Sequence, residues 1–310
     1  MSLNVLFSAL PERWTEYQPA LKSAFQNAGL TVNLQPDMDP ELVEYVVFAP
    51  NGPVTDFSQF PRLKATLSLW AGVESIVTNP TLKVPLTRMV DSGLSEGMVE
   101  WVTGHVLRDH LGMDAQLCGQ NGTWQPVIPP LARNRTIGML GLGQLGTACA
   151  YALAALNFRV MAWSRRAQTL DGIDTFHGST GLAEVLKQSE ILVLLLPSTS
   201  ATDNILNADN LRLMPKGAFI INPGRGQLID DDALIAALDC GQIAHATLDV
   251  FRQEPLPADH PFWANRRVTV TPHIASETRP ETASQVIAEN IRRCEAGEEM
   301  QFLVDRAAGY

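Results

Sequence analysis

Residues 136–146 read TIGMLGLGQLG, with glycines at 141, 143 and 146 directly after a short apolar run. A Gly-x-Gly-x-x-Gly loop between a strand and a helix has the chemistry to cradle the pyrophosphate of a dinucleotide. Gly141 permits the tight turn, Gly143 lets phosphate approach the backbone, and Gly146 lets helix and strand pack closely. The helix opened by Gln144 and Leu145 adds free N–H groups and a partial positive charge. Roughly 20 residues further on, a site for NAD carries Asp or Glu on the ribose hydroxyl. Here AWSRRAQ places Ser164, Arg165 and Arg166 at that point. A carboxylate repels a 2′-phosphate, whereas a hydroxyl and two guanidiniums bind one. The residues therefore predict NADPH as cofactor, with NADH the weaker alternative.

Three more stretches place a reactive side chain just beyond an apolar run. They are AFIINPGRGQLIDDDAL with Arg225, ATLDVFRQEPLP with Glu254, and VTVTPHIAS with His273. Open α/β sheets bind their ligands at the carboxyl ends of strands, where these residues fall. In the first third of the chain, LWAGVES offers the backbone amides of Ala71, Gly72 and Val73 to an anion, with Trp70 before them. Taken singly, each has a plainer reading: a solvated arginine, a Glu-Pro loop, a histidine packed at a strand end. Together behind a dinucleotide loop they read as one site. His105 and His110 are five residues apart on one helical stretch and share no face. His177, His245 and His260 are read as structural or solvated, and no ligand spacing for a metal occurs.

The elements needed to position these residues are legible as an alternation of apolar runs and helical patterns. The first part offers NVLFSA, the helix-like PALKSAFQNAG stopping at Gly29, then TVNLQ, EYVVFA, LKATLSLW and VPLTRMV. From Ser95 to about Gly112, Met98, Val99, Val102, Val106, Leu107 and Leu111 recur at helical spacing. Residues 119–135 read as an extended loop. Six strands follow, TIGML, FRVMAWS, ILVLLL, AFIIN, ATLDVF and RVTVTP, with helices between most of them. A last helix, roughly Pro280 to Glu295, is one too many for that count and is expected to cross back to the first domain. The predicted architecture is α/β: two Rossmann-like or flavodoxin-like parallel-sheet domains. The nucleotide domain, 99–279, is inserted into a discontinuous substrate domain, 1–98 plus 280–310.

The 310 residues are 45% hydrophobic and 18% charged, with a formal net charge of −10. That field disfavours nucleic acid and anionic membrane as partners and leaves a small anionic substrate in need of a local cation. MSLNVLFSALPERW has no basic region of a signal peptide, and no apolar stretch approaches a membrane span. Cys118, Cys149, Cys240 and Cys294 form no CxxC pair, so reduced thiols and a cytoplasmic location are expected.

GLGQLG, NPGRGQLIDDDAL, LDVFRQEPLP and TPHIAS, in this order, resemble the successive signatures of the D-isomer-specific 2-hydroxyacid dehydrogenases. The resemblance covers nearly the whole chain. Within the family, WSR, WQP at 124–126, EPLP, TRP at 278–280 and the terminal VDRAAGY are most similar to the branch that reduces glyoxylate and hydroxypyruvate. It implies an inserted nucleotide domain, a 2-keto acid substrate and a homodimer with the helix from Ser95 as its contact, although the apolar stripe on that helix fits core packing equally well. It also implies His273 as proton donor, Glu254 as the partner that keeps it charged, and Arg225 as the group that orients and polarises the keto acid. Gly72 and Val73 amides would take the other side of the substrate carboxylate. Asp249 would contact the nicotinamide amide, and Leu196-Pro197-Ser198 would line the nucleotide. Two departures stand out: Pro223 stiffens the turn before Arg225, and Trp70 replaces a more usual glycine. A bulkier 2-keto acid and a non-catalytic, nucleotide-sensing binding protein are the alternatives left open.

Overall fold

The computed structural model describes residues 2–306, so the last four residues of the expected 280–310 segment lie outside the described residues. The chain divides into two units, Met1–Leu94 with Glu277–Tyr310, and Ser95–Ser276. The divisions fall a few residues ahead of those expected.

The first unit is built on five parallel strands, β1 (Leu3–Ser8), β2 (Val32–Gln35), β3 (Tyr45–Phe48), β4 (Ala65–Ser68) and β5 (Leu86–Thr87). Their order is β2-β1-β3-β4-β5, the flavodoxin-like arrangement. Helix α1 (Pro11–Asn27) and the C-terminal helix Pro280–Glu295 cover one face, where Tyr17, Leu21 and Phe25 meet Ile287 and Ile291. Val46, Phe48, Phe57, Phe60 and Leu82 fill the other. Burial on both faces explains why YVVF is apolar throughout rather than alternating. Helix α1 starts eight residues before the expected Pro19, with Pro11 in its first turn. Pro19 sits inside the helix on its exposed side, so the Thr15 carbonyl it cannot serve faces water. Gly29, in the left-handed region at φ +70°, ends the helical path as expected.

Helix α2 (Ser92–Leu111) sends Met98, Val102 and Val106 into the core of the second unit, with Val99 and Leu107 partly buried against it and Leu111 exposed. A short α3 (Met113–Cys118) follows, then a stretch without regular structure in which Trp124 is 95% and Ile128 89% exposed. The sheet comprises β6 (Thr136–Leu140), β7 (Arg159–Ser164), β8 (Asp174–His177), β9 (Ile191–Leu194), β10 (Ala218–Asn222), β11 (Ile243–Leu248) and β12 (Val268–Val270). All seven are parallel, ordered β12-β11-β10-β9-β6-β7-β8. The strand missed by sequence reading, β8, is an edge strand with no fully buried residue and hence no apolar run. Helices α4 (Gln144–Ala155), α5 (Gly178–Gln188), α6 (Ala208–Leu213), α7 (Asp231–Asp239) and α8 (Pro261–Ala264) connect the strands. The C-terminal helix is α9. Among the described residues no helix is long and apolar enough to cross a membrane.

Candidate active site

The glycine loop joins β6 to α4, and its three glycines do three different things. A Cβ on Gly141, at φ +110°, would lie 2.4 Å from the Leu195 carbonyl oxygen. A Cβ on Gly146 would lie 2.0 Å from the Gly141 carbonyl oxygen, so helix and loop touch backbone to backbone. Around Gly143 nothing lies within 4 Å. That open space faces a helix start without a side-chain cap, and the amides of Gln144, Leu145 and Gly146 have no partner among the described residues. Uncapped amides beside a space that a side chain would fill fit a bound pyrophosphate. Past β9, Leu196 is buried in the core, while the Thr202 hydroxyl donates to the Pro197 carbonyl at 2.7 Å and braces the loop through Ser198.

Ser164 ends β7 buried, and its hydroxyl donates to the Arg166 carbonyl at 2.7 Å. It therefore shapes the turn, and the exposed Arg165 and Arg166 are the cations that the turn presents.

Arg225, Glu254 and His273 come from the ends of β10, β11 and β12, which are adjacent strands. Asn222 closes the first turn on itself: its side-chain N–H donates to the Arg225 carbonyl at 2.9 Å and its oxygen accepts the Gly224 amide at 3.1 Å. Pro223 lies buried within this turn. A Cβ on Gly226 would sit 2.0 Å from the Phe251 carbonyl carbon, so this turn lies directly on the chain leading to Glu254. One oxygen of Glu254 accepts the Phe251 amide at 2.9 Å, and the other is 2.7 Å from His273 Nδ1. The hydrogen bond to Glu254 raises the His273 pKa above its ordinary value against the opposing effect of burial. Partial burial works to raise Glu254, but the bonds from His273 and Phe251 outweigh it and hold the carboxyl below its ordinary value. The pair is thus biased toward imidazolium and carboxylate. With Nδ1 committed, Nε2 is the ring nitrogen without a partner among the described residues, on a side chain 51% exposed. His273 adopts φ +55°, a left-handed conformation that costs a non-glycine residue about 1–2 kcal/mol.

In the first unit, the Ser68 hydroxyl donates to the Trp70 carbonyl and accepts its amide, both at 3.0 Å. The Met89 amide also donates to that carbonyl at 3.0 Å. This pins the start of the Trp70–Val73 loop at the end of β4. Val73 is buried in the core, yet the amides of Ala71, Gly72 and Val73 have no partner among the described residues. Three consecutive open amides are donors of the kind that a carboxylate can take up. Trp70 is 45% exposed and so is not part of that core.

Sequence reading missed Asn222 and Thr271, which shape the turns carrying Arg225 and His273; an Asn at the end of an apolar run was the available signal for the first. Asp249 lies at the end of β11 with its carboxylate directed at the His273 turn. Of the remaining histidines, His245 bonds the Thr269 hydroxyl, His260 accepts the Phe262 amide, and His110 packs edge-on to Phe158. All four cysteines are free thiols. Among the described residues no group of His, Cys, Asp and Glu gathers to hold a metal.

The sequence profile described as "D-isomer specific 2-hydroxyacid dehydrogenase, NAD binding domain" matches residues 103–275. A glyoxylate/hydroxypyruvate reductase A from Yersinia enterocolitica is 43% identical over 257 residues, covering 80% of this chain and 82% of that protein. A D-isomer specific 2-hydroxyacid dehydrogenase from Xanthobacter autotrophicus Py2, solved with NADPH and MES, superposes with a TM-score of 0.93 at 40% identity over the whole of both chains. An NADPH-dependent glyoxylate/hydroxypyruvate reductase from Sinorhizobium meliloti, solved with NADP and sulfate, gives 0.88 at 33% identity, again over both whole chains. The chain belongs to the D-isomer-specific 2-hydroxyacid dehydrogenase family and is an NAD(P)-dependent enzyme of it.

Proposed function

We propose that the enzyme uses NADPH to reduce small 2-keto acids, glyoxylate and hydroxypyruvate first, to the corresponding 2-hydroxy acids, with His273 as proton donor. The observation that carries this reading is the 2.7 Å contact between His273 Nδ1 and Glu254, which favours the protonated ring and leaves Nε2 to donate. Bound at the glycine loop, NADPH supplies the hydride that the carbonyl carbon accepts. Arg165 and Arg166 hold its 2′-phosphate, which supports NADPH over NADH as the preferred form. Arg225 orients the keto acid by its carboxylate and polarises the carbonyl, and the open amides of Gly72 and Val73 are a second set of donors suited to a carboxylate. As negative charge grows on the carbonyl oxygen, His273 Nε2 delivers its proton and Glu254 stabilises the imidazolium beforehand. The relatives named for glyoxylate and hydroxypyruvate support the choice of substrate.

We also propose that the enzyme works in the cytoplasm as a homodimer. Met98, Val102 and Val106 of the α2 stripe are spent on the core, while Leu117, Trp124, Val127, Ile128 and Leu131 are exposed on the arm after it. An apolar patch of this kind on a soluble chain favours cover by a second copy.

The proton-donor assignment is tested with His273→Gln. The variant should lose about 1,000-fold or more in kcat for glyoxylate while NADPH still quenches tryptophan fluorescence at parental concentrations. Near-parental turnover would sink the assignment.

A further inference from the structure

The resemblance assigns Asp249 to the nicotinamide amide, yet its carboxylate is occupied elsewhere. Asp249 is completely buried, one residue past the end of β11. Its Oδ1 accepts the Thr271 hydroxyl at 2.6 Å and the Ile274 amide at 2.9 Å, and its Oδ2 accepts the Ala275 amide at 2.9 Å. Its own carbonyl accepts the His273 amide, also at 2.9 Å. Every one of these donors lies in residues 271–275, on both sides of His273. An ionised carboxylate suits this position because it only accepts, whereas an amide would turn an N–H toward one of those donors.

The turn so held is the one that carries His273 in a left-handed conformation. Positive φ is uncommon for any non-glycine residue, so the surrounding turn has to hold it. The four bonds to Asp249 hold its neighbours on either side and its own amide, and so overdetermine it. From this turn the ring meets Glu254, with Nδ1 at 2.7 Å from the carboxylate. Arg225 and Asp249 are the other charged groups acting on the ring.

We infer that Asp249 is a positioning residue for the proton donor: its buried carboxylate clamps residues 271–275 and so fixes the direction in which His273 presents its second ring nitrogen. The inference rests on the reading of His273 as proton donor. It separates two roles for one residue, since a clamp acts on turnover through His273, whereas a nicotinamide contact acts on cofactor affinity.

The test uses Asp249→Asn, Thr271→Val and Thr271→Ser in the full-length protein. Thr271→Val removes one bond of the clamp with little change of shape, and Thr271→Ser restores the hydroxyl. Three readouts are taken: kcat for glyoxylate, NADPH affinity by fluorescence quenching, and the His273 imidazole titration by NMR without cofactor. Thr271→Val should lower kcat about 10-fold and Asp249→Asn about 100-fold, with NADPH affinity within about threefold of the parent in both. In both, the His273 midpoint should fall toward the ordinary value of 6.5, and Thr271→Ser should behave as the parent. An NADPH affinity weakened about 10-fold or more, with an unchanged His273 titration, would overturn the clamp in favour of the nicotinamide contact. Unchanged kcat and titration in Thr271→Val would overturn it also, and this variant decides if Asp249→Asn fails to fold. If the parent enzyme does not reduce glyoxylate, the functional reading fails, while the NMR titration still decides the clamp.

Discussion

Glu254 sets the pH range over which His273 holds its proton. The hydrogen bond raises the histidine pKa, and in the proposed mechanism the protonated ring is the form that reduces a keto acid. Reduction should therefore run at full rate below the raised value and fall as pH rises through it. Glu254→Gln removes the largest contribution to that rise, so the falling limb of kcat/KM should move to lower pH. We expect a loss of about 10-fold or more near pH 8 that narrows toward about pH 5.5, read from initial rates across that range. A uniform loss at all pH values would assign Glu254 to substrate binding instead. The two arginines after β7 predict a cofactor effect of a different kind. Replacing Arg165 and Arg166 by Ala should raise the KM for NADPH about 10-fold or more and leave that for NADH within about twofold. Equal changes would mean that neither guanidinium meets the 2′-phosphate.

At the scale of elements, the glycine loop separates binding from folding. Gly143 has an ordinary φ of −72° and open space where a Cβ would go. Gly143→Ala should leave the thermal midpoint unchanged and weaken NADPH binding about 10-fold or more, because the methyl would occupy the phosphate cradle. Gly146→Ala forces a methyl against the Gly141 carbonyl and should lower the midpoint itself, by several degrees in calorimetry. The loop and the strands that carry Arg225, Glu254 and His273 were legible because each combines an apolar or β-branched run with a chemically marked end. What escaped was of two sorts. Strand β8 is half-buried and has no apolar run to read, and helix α1 begins in the charged segment PERWTEYQ, where Pro19 looked like a start. The roles of Asn222 and Asp249 escaped because their partners are fixed by three-dimensional turns: a polar residue after a strand looks the same whether it faces water, a ligand or a catalytic turn.

At the scale of the whole molecule, the resemblance places a dimer contact on α2, whose apolar stripe fits core packing equally well. Met98, Val102 and Val106 are core residues, Leu111 is exposed, and Leu117, Trp124, Val127, Ile128 and Leu131 are exposed on the arm beyond it. Light scattering of the parent should give twice the 33.9 kDa chain mass, and Trp124→Ser with Ile128→Ser should give one chain mass. A monomeric parent would contradict the arm's role. The acidic net charge of −10 repels small anions at long range, so in the proposed reaction capture of the keto acid requires a local cation such as Arg225 rather than the overall field. The central claim is the reaction itself, and initial rates test it most directly, with glyoxylate, hydroxypyruvate, pyruvate and phenylpyruvate each supplied with NADPH or NADH. The account predicts fastest turnover with glyoxylate and hydroxypyruvate and with NADPH; a clear preference for phenylpyruvate or for NADH would contradict it.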